Sequence, residues 1–107
     1  MSKNLHLVLK FKWFDMIASG EKLEEYREIN PYWQTRLFPT SKFSNEGKVY
    51  NIEPKGFETI TFQRGYSKNA PQLIVKFLGL SAGQSRPKWS ENAESKHCFI
   101  IKFELKQ

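Results

Sequence analysis

The sequence predicts one small α+β domain, mainly β, built as a little barrel of short strands that carries two short helices. Three observations lead to this expectation. At 107 residues the chain has the usual length of one domain, enough for a modest core and too little for two, so residues 1–107 are read as a single unit. Five segments show strand-like alternation or apolar runs of strand length, and two more show helical spacing next to a glycine or proline signal. Nine Phe, four Tyr and three Trp supply the bulky side chains that a small barrel buries.

The elements follow in order. Leu5, Leu7, Leu9 and Phe11 alternate with His6, Val8 and Lys10, which gives a first strand with one apolar face. Trp13, Phe14, Ile17 and Ala18 then recur at helical spacing within Lys12 to Ser19, and Gly20 stands where a helix C-terminal glycine belongs. From Lys22 to Arg27 an extended chain puts Leu23, Glu25 and Arg27 on one side and Glu24 and Tyr26 on the other. Asn30 before Pro31 is a helix start, a capping side chain followed by the residue that loses nothing at the first helical position. A second helix is expected through Leu37.

Between Pro39 and Gly56 the composition turns to Ser, Asn, Lys, Gly and Pro, so a loop is expected there, with a brief strand near Val49. Thr59 to Arg64 alternates again and turns at Gly65. Leu73 to Leu80 is an apolar run whose β-branched and aromatic residues favour a strand. Gly83 to Ser95 is polar and contains Pro87, which reads as a loop anchored by Trp89. His97 to Leu105 closes the chain as a strand with Phe99, Ile101, Phe103 and Leu105 on one face.

Charge narrows the partners. Seventeen Lys and Arg against eleven Asp and Glu give a formal charge of +6, which favours phosphate-bearing ligands. The basic residues are spread along the chain, so charge alone does not decide for nucleic acid. A single cysteine, Cys98, excludes an internal disulfide and a cysteine-rich zinc site, and its apolar neighbours imply a buried, inert thiol. His6 and His97 have no carboxylate cluster at ligand spacing, so no metal is expected, and no motif for a cofactor is present. No stretch is apolar enough for a membrane span and no signal region opens the chain, which makes the cytoplasm the expected compartment.

The segment that carries chemistry is Ser19-Gly20-Glu21-Lys22-Leu23-Glu24-Glu25-Tyr26-Arg27, in which Lys22, Glu25 and Arg27 are spaced K-x-x-E-x-R directly after the helix-ending glycine. Glu25 and Arg27 on one side of a strand are close enough for a charge-assisted hydrogen bond that would orient the guanidinium toward a phosphate or a base edge. Lys22 can meet a phosphate or, if desolvated beside Arg27, lose affinity for its proton and act as nucleophile or base. The alternative is that all three are solvated charges on a barrel edge. Arg64, Tyr66 and Lys68 form a second candidate surface, a basic pair bracketing a ring on which a base could stack; the alternative is an ordinary hairpin tip. Arg86, Lys88 and Trp89 form a third, in which Trp89 could instead plug the end of the barrel.

The K-x-x-E-x-R spacing resembles the signature of ASCH domains, a family related to the PUA RNA-binding barrels, and the likeness runs from about Leu5 to Leu105. Asn30-Pro31-Tyr32-Trp33 and Gln63-Arg64-Gly65-Tyr66-Ser67-Lys68 look like a small ASCH-like branch of phages and bacteria. The resemblance implies a PUA-like barrel and a binding module whose cleft beside Lys22, Glu25 and Arg27 receives RNA, a nucleoside or a nucleotide. It also implies an alternative, an amidohydrolase acting on a modified nucleoside such as N4-acetylcytidine. One ASCH-type branch performs that reaction with a lysine matched here by Lys22 and a threonine three residues on, where this chain has Glu25; Lys22 and Glu25 would then be the catalytic pair. A third option is a phage or mobile-element accessory protein that contacts a host protein.

Overall fold

The computed structural model of the chain describes residues 3–38, 56–91 and 94–105. The elements run β1 (Asn4–Leu9), α1 (Phe11–Ala18), β2 (Glu24–Arg27), α2 (Pro31–Leu37), β3 (Thr59–Arg64), β4 (Gln72–Gln84), a 3₁₀ turn (Pro87–Trp89) and β5 (His97–Leu105). The fold is α+β and mainly β. The five strands form one curled sheet, a half-barrel, in the order β1-β3-β4-β5-β2. The β1–β3 pair is parallel and the others are antiparallel.

Alternation puts Leu5, Leu7 and Leu9 of β1 into the core, where they meet Ile60 and Phe62 of β3, Val75 of β4 and Phe99, Ile101 and Phe103 of β5. Trp13, Phe14 and Ile17 of α1, together with Leu37 and Phe38 at the end of α2, join the same cluster. Burying each of the Leu, Ile and Phe side chains contributes roughly 1.5–3 kcal/mol. Asn30 caps α2 by accepting from the Trp33 N–H at 2.9 Å, and Gly20 ends α1 at φ +86°, as the sequence signals imply.

The limits of several elements differ from expectation. Phe11 does not extend β1 but opens α1, where it is exposed, as is Ala18. β2 begins at Glu24, because its ladder with β5 starts at Glu24 opposite Lys102. Lys22 belongs to the turn that closes α1, its N–H donating to the Met16 carbonyl at 3.0 Å. Leu23 therefore has no cross-strand partner to hold it to the alternation of Glu25 and Arg27, and it is exposed. β4 continues past Leu80 to Gln84, since Ser81, Ala82, Gly83 and Gln84 pair with Ile100, Phe99, Cys98 and His97. The ladder shifts register between Phe77 and Gly79, leaving Leu78 as an extra residue. The loop and brief strand expected between Pro39 and Gly56 lie outside the described residues, Gly56 excepted.

Candidate functional site

A cleft of about 790 Å³ opens between β1 and β2, the two edges of the curled sheet. This is the size range of small-molecule and cofactor pockets. Its wall on one side is His6–Leu9 of β1, and Glu25–Arg27 of β2 line the other. Trp13 of α1, Trp33 of α2 and Trp89 of the 3₁₀ turn also line it.

Lys22, Glu25 and Arg27 come together here as one ion network. The Lys22 Nζ lies 2.7 Å from Glu25 Oε1, and the Arg27 Nη1 donates to Glu25 Oε2. The same Arg27 nitrogen donates to the Tyr26 carbonyl at 2.7 Å. Lys22 and Glu25 are almost fully buried, whereas the Arg27 side chain keeps 15% of its exposure. Burial thus removes the solvated-edge alternative for the first two residues. Two cations around one carboxylate leave one unit of positive charge in a place with little water, a costly arrangement that here has its hydrogen bonds made.

Aromatic rings hold the cations. Lys22 Nζ sits 4.2 Å from the centre of the Trp13 ring and 5.7 Å from that of Tyr26. The Arg27 guanidinium lies 5.0 Å from the Trp33 ring, and Arg36, one helical turn further along α2, lies 5.5 Å from the same ring. Burial holds the Lys22 ammonium below its ordinary range and Arg27 pushes in the same direction, while Glu25 and the more distant Glu91 oppose them. Burial also pushes the Tyr26 hydroxyl up to about 12, assisted by the hydrogen bond it donates to Glu24 Oε1 at 2.9 Å. Tyr26 in turn accepts from the Arg86 N–H at 3.1 Å. The Trp13 indole N–H donates to Glu91 Oε1 at 2.8 Å, and Lys10 pairs with the same oxygen at 3.1 Å.

The second candidate surface is divided. Arg64 forks onto Asp15 of α1, Nε to Oδ1 at 2.9 Å and Nη2 to Oδ2 at 3.1 Å, and lies 4.0 Å from the Phe11 ring centre. Tyr66 is 88% exposed and lines the cleft, and Lys68 is exposed without lining it. In the third cluster Trp89 is buried, with Arg86 and Lys88 at 5.3 and 4.9 Å from its ring centre. Cys98 is buried, and that burial raises its thiol pKa. Among the described residues no three His, Cys, Asp or Glu side chains gather as a metal site.

Sequence reasoning passed over Trp33 and Arg36 as site residues, as well as Trp13 and Glu91. The first two carried a readable signal, an aromatic and a cation three positions apart on a helix that starts four residues after the motif. Glu91 had none, since only the folded chain brings it to Trp13. No family model, no curated protein and no solved structure matches the chain. The site must speak for itself. Its chemistry is that of a slot with indole walls and a desolvated, net positive floor, suited to a flat ring attached to an anion.

Proposed function

We propose that the cleft binds RNA or a nucleotide, with the base against the indole of Trp33 and the phosphate drawn by Arg27, Arg36 and Lys22. The observation that carries this reading is the buried Lys22–Glu25–Arg27 network at an aromatic-walled cleft. Stacking accepts any base and the surplus positive charge favours phosphate. The likeness of these three residues to the ASCH signature points the same way, and so does the formal charge of +6. The test is a titration of short RNAs and the four nucleoside monophosphates, followed by tryptophan fluorescence at about 50 and 200 mM salt. Binding at low salt that falls steeply at the higher concentration is expected for RNA. Absence of binding by every probe at low salt would remove the proposal.

A second reading, the amidohydrolase, is favoured by the lowered proton affinity of Lys22, which leaves more of the amine unprotonated and so available as nucleophile or base. Against it, both oxygens of Glu25 are held by Lys22 and Arg27. Release of acetate from N4-acetylcytidine separates an enzyme from a module that only binds.

A further inference from the structure

β1 is an edge strand, and its ladder with β3 fixes which of its backbone groups are used. The Lys3 carbonyl accepts from the Glu58 and Thr59 N–H groups at 2.7 and 3.3 Å, and the Leu9 carbonyl accepts from the Gly65 N–H at 2.9 Å. The register is unbroken from Asn4 opposite Thr59 to Leu9 opposite Arg64. In a parallel ladder alternate residues turn both N–H and C=O toward the neighbouring strand, so the residues between them turn both the other way. Odd-numbered residues face β3. His6 and Val8 therefore present their N–H and C=O outward from the sheet edge, on the strand segment that lines the cleft. Among the described residues no backbone group pairs with either.

Unpaired strand edges are usually blunted by a lysine, a proline or a covering element. Here the edge lies along the cleft instead, and its polar groups need partners. In one extended residue the N–H and C=O lie side by side and point the same way, a donor and an acceptor in one plane. The carboxamide of Asn or Gln offers the same pair when it binds a base in two-point fashion. Leu7 and Leu9 turn their side chains into the core and His6 Nε2 is engaged with Gln63 Oε1 at 2.9 Å, so the outward backbone is the main polar offering of this stretch of wall.

We infer that the outward N–H and C=O of Val8, with those of His6 beside them, read the hydrogen-bonding edge of a nucleobase held in the cleft. The inference rests on the nucleotide reading above and adds base discrimination to it. Base selection then comes from the main chain, while the side chains of Lys22, Arg27 and Trp33 bind every nucleotide alike.

Proline at position 8 tests this directly. It removes the outward N–H and none of the ladder bonds to β3, and an outward-facing position on an edge strand is where a strand accepts proline. The nucleoside monophosphate that binds tightest should lose affinity about tenfold on Val8→Pro, the loss of the donor half of a two-point contact. Val8→Ala, which keeps the N–H, should lose clearly less affinity than Val8→Pro. Independently of any variant, the same monophosphate methylated on its pairing edge should bind the parent protein about tenfold more weakly. If Val8→Pro fails to fold, this arm decides. Equal affinity for methylated and unmethylated forms, or unchanged binding by folded Val8→Pro, overturns the backbone readout and leaves the nucleotide reading standing. No binding of any monophosphate or short RNA removes both.

Discussion

Glu25 holds two cations with its two oxygens, so its neighbours are not equivalent when one is lost. In Arg27→Ala the carboxylate still has Lys22 at 2.7 Å, and the fold should keep most of its stability. Ligand binding should fall by more than the roughly 1–3 kcal/mol of one charged hydrogen bond, because the donor fork goes and the carboxylate loses half its neutralisation. Glu25→Ala leaves Lys22 and Arg27 as unpaired cations against each other, at a cost of roughly 3–5 kcal/mol. Thermal melting and nucleotide titration of both variants check this. A strongly lowered melting temperature with retained affinity in Arg27→Ala would make the arginine a scaffold instead.

At the scale of elements, the turn between β3 and β4 depends on one glycine. Gly65 has φ +79°, and a Cβ there would come within 2.6 Å of the Phe11 ring, over which Arg64 lies. Gly65→Ala should lower stability by about 1–3 kcal/mol through both backbone strain and this clash. Adding Phe11→Ala, at a ring that is 55% exposed, should recover the steric part and leave the strain. A denaturant-melting cycle over the four proteins reads the coupling, and strict additivity would mean that the ring simply moves aside.

The same elements show what can be read without coordinates. β3 and β5 match their expected limits residue for residue, since alternation in Thr59–Arg64 and the apolar face of His97–Leu105 report burial directly. The end of β4 was hidden because Ser81–Gln84 is polar and small, and only its ladder with β5 makes it strand. The start of β2 was hidden because a backbone bond from Lys22 to Met16 claims that residue for the turn. Of the site, the Glu25–Arg27 pair could be anticipated from i,i+2 spacing. The depth of its burial could not, because Trp13 and Trp33, which approach the two cations, are brought in by separate helices.

For the whole molecule, the buried Lys22 and the half-buried Tyr26 give stability opposite slopes in alkali. Lys22 has its folded pKa below the ordinary 10.5, so the unfolded chain holds that proton more tightly and stability rises with pH up to about that value. Tyr26 has its folded pKa raised from 10.0 to about 12, so its contribution is complete below 10 and is lost between 10 and about 12. Urea melts of the parent, Lys22→Met and Tyr26→Phe from pH 8 to 12 should show a shallower rise in the first variant and a weaker alkaline loss in the second. Profiles parallel to the parent's would mean that neither group titrates differently in the folded chain.

The extra residue at Leu78 has a consequence far from where it sits. β4 lies between β3 and β5 and contributes no residue to the cleft lining, yet a bulge bends its strand and increases the local twist. Bending the middle of a five-stranded sheet swings its outermost strands toward one another, and here those strands are the two banks of the cleft. The aperture is thus gauged by a strand that supplies none of its lining. A sequence change around Phe77–Gly79 would retune the width of the cleft while leaving every lining side chain as it was.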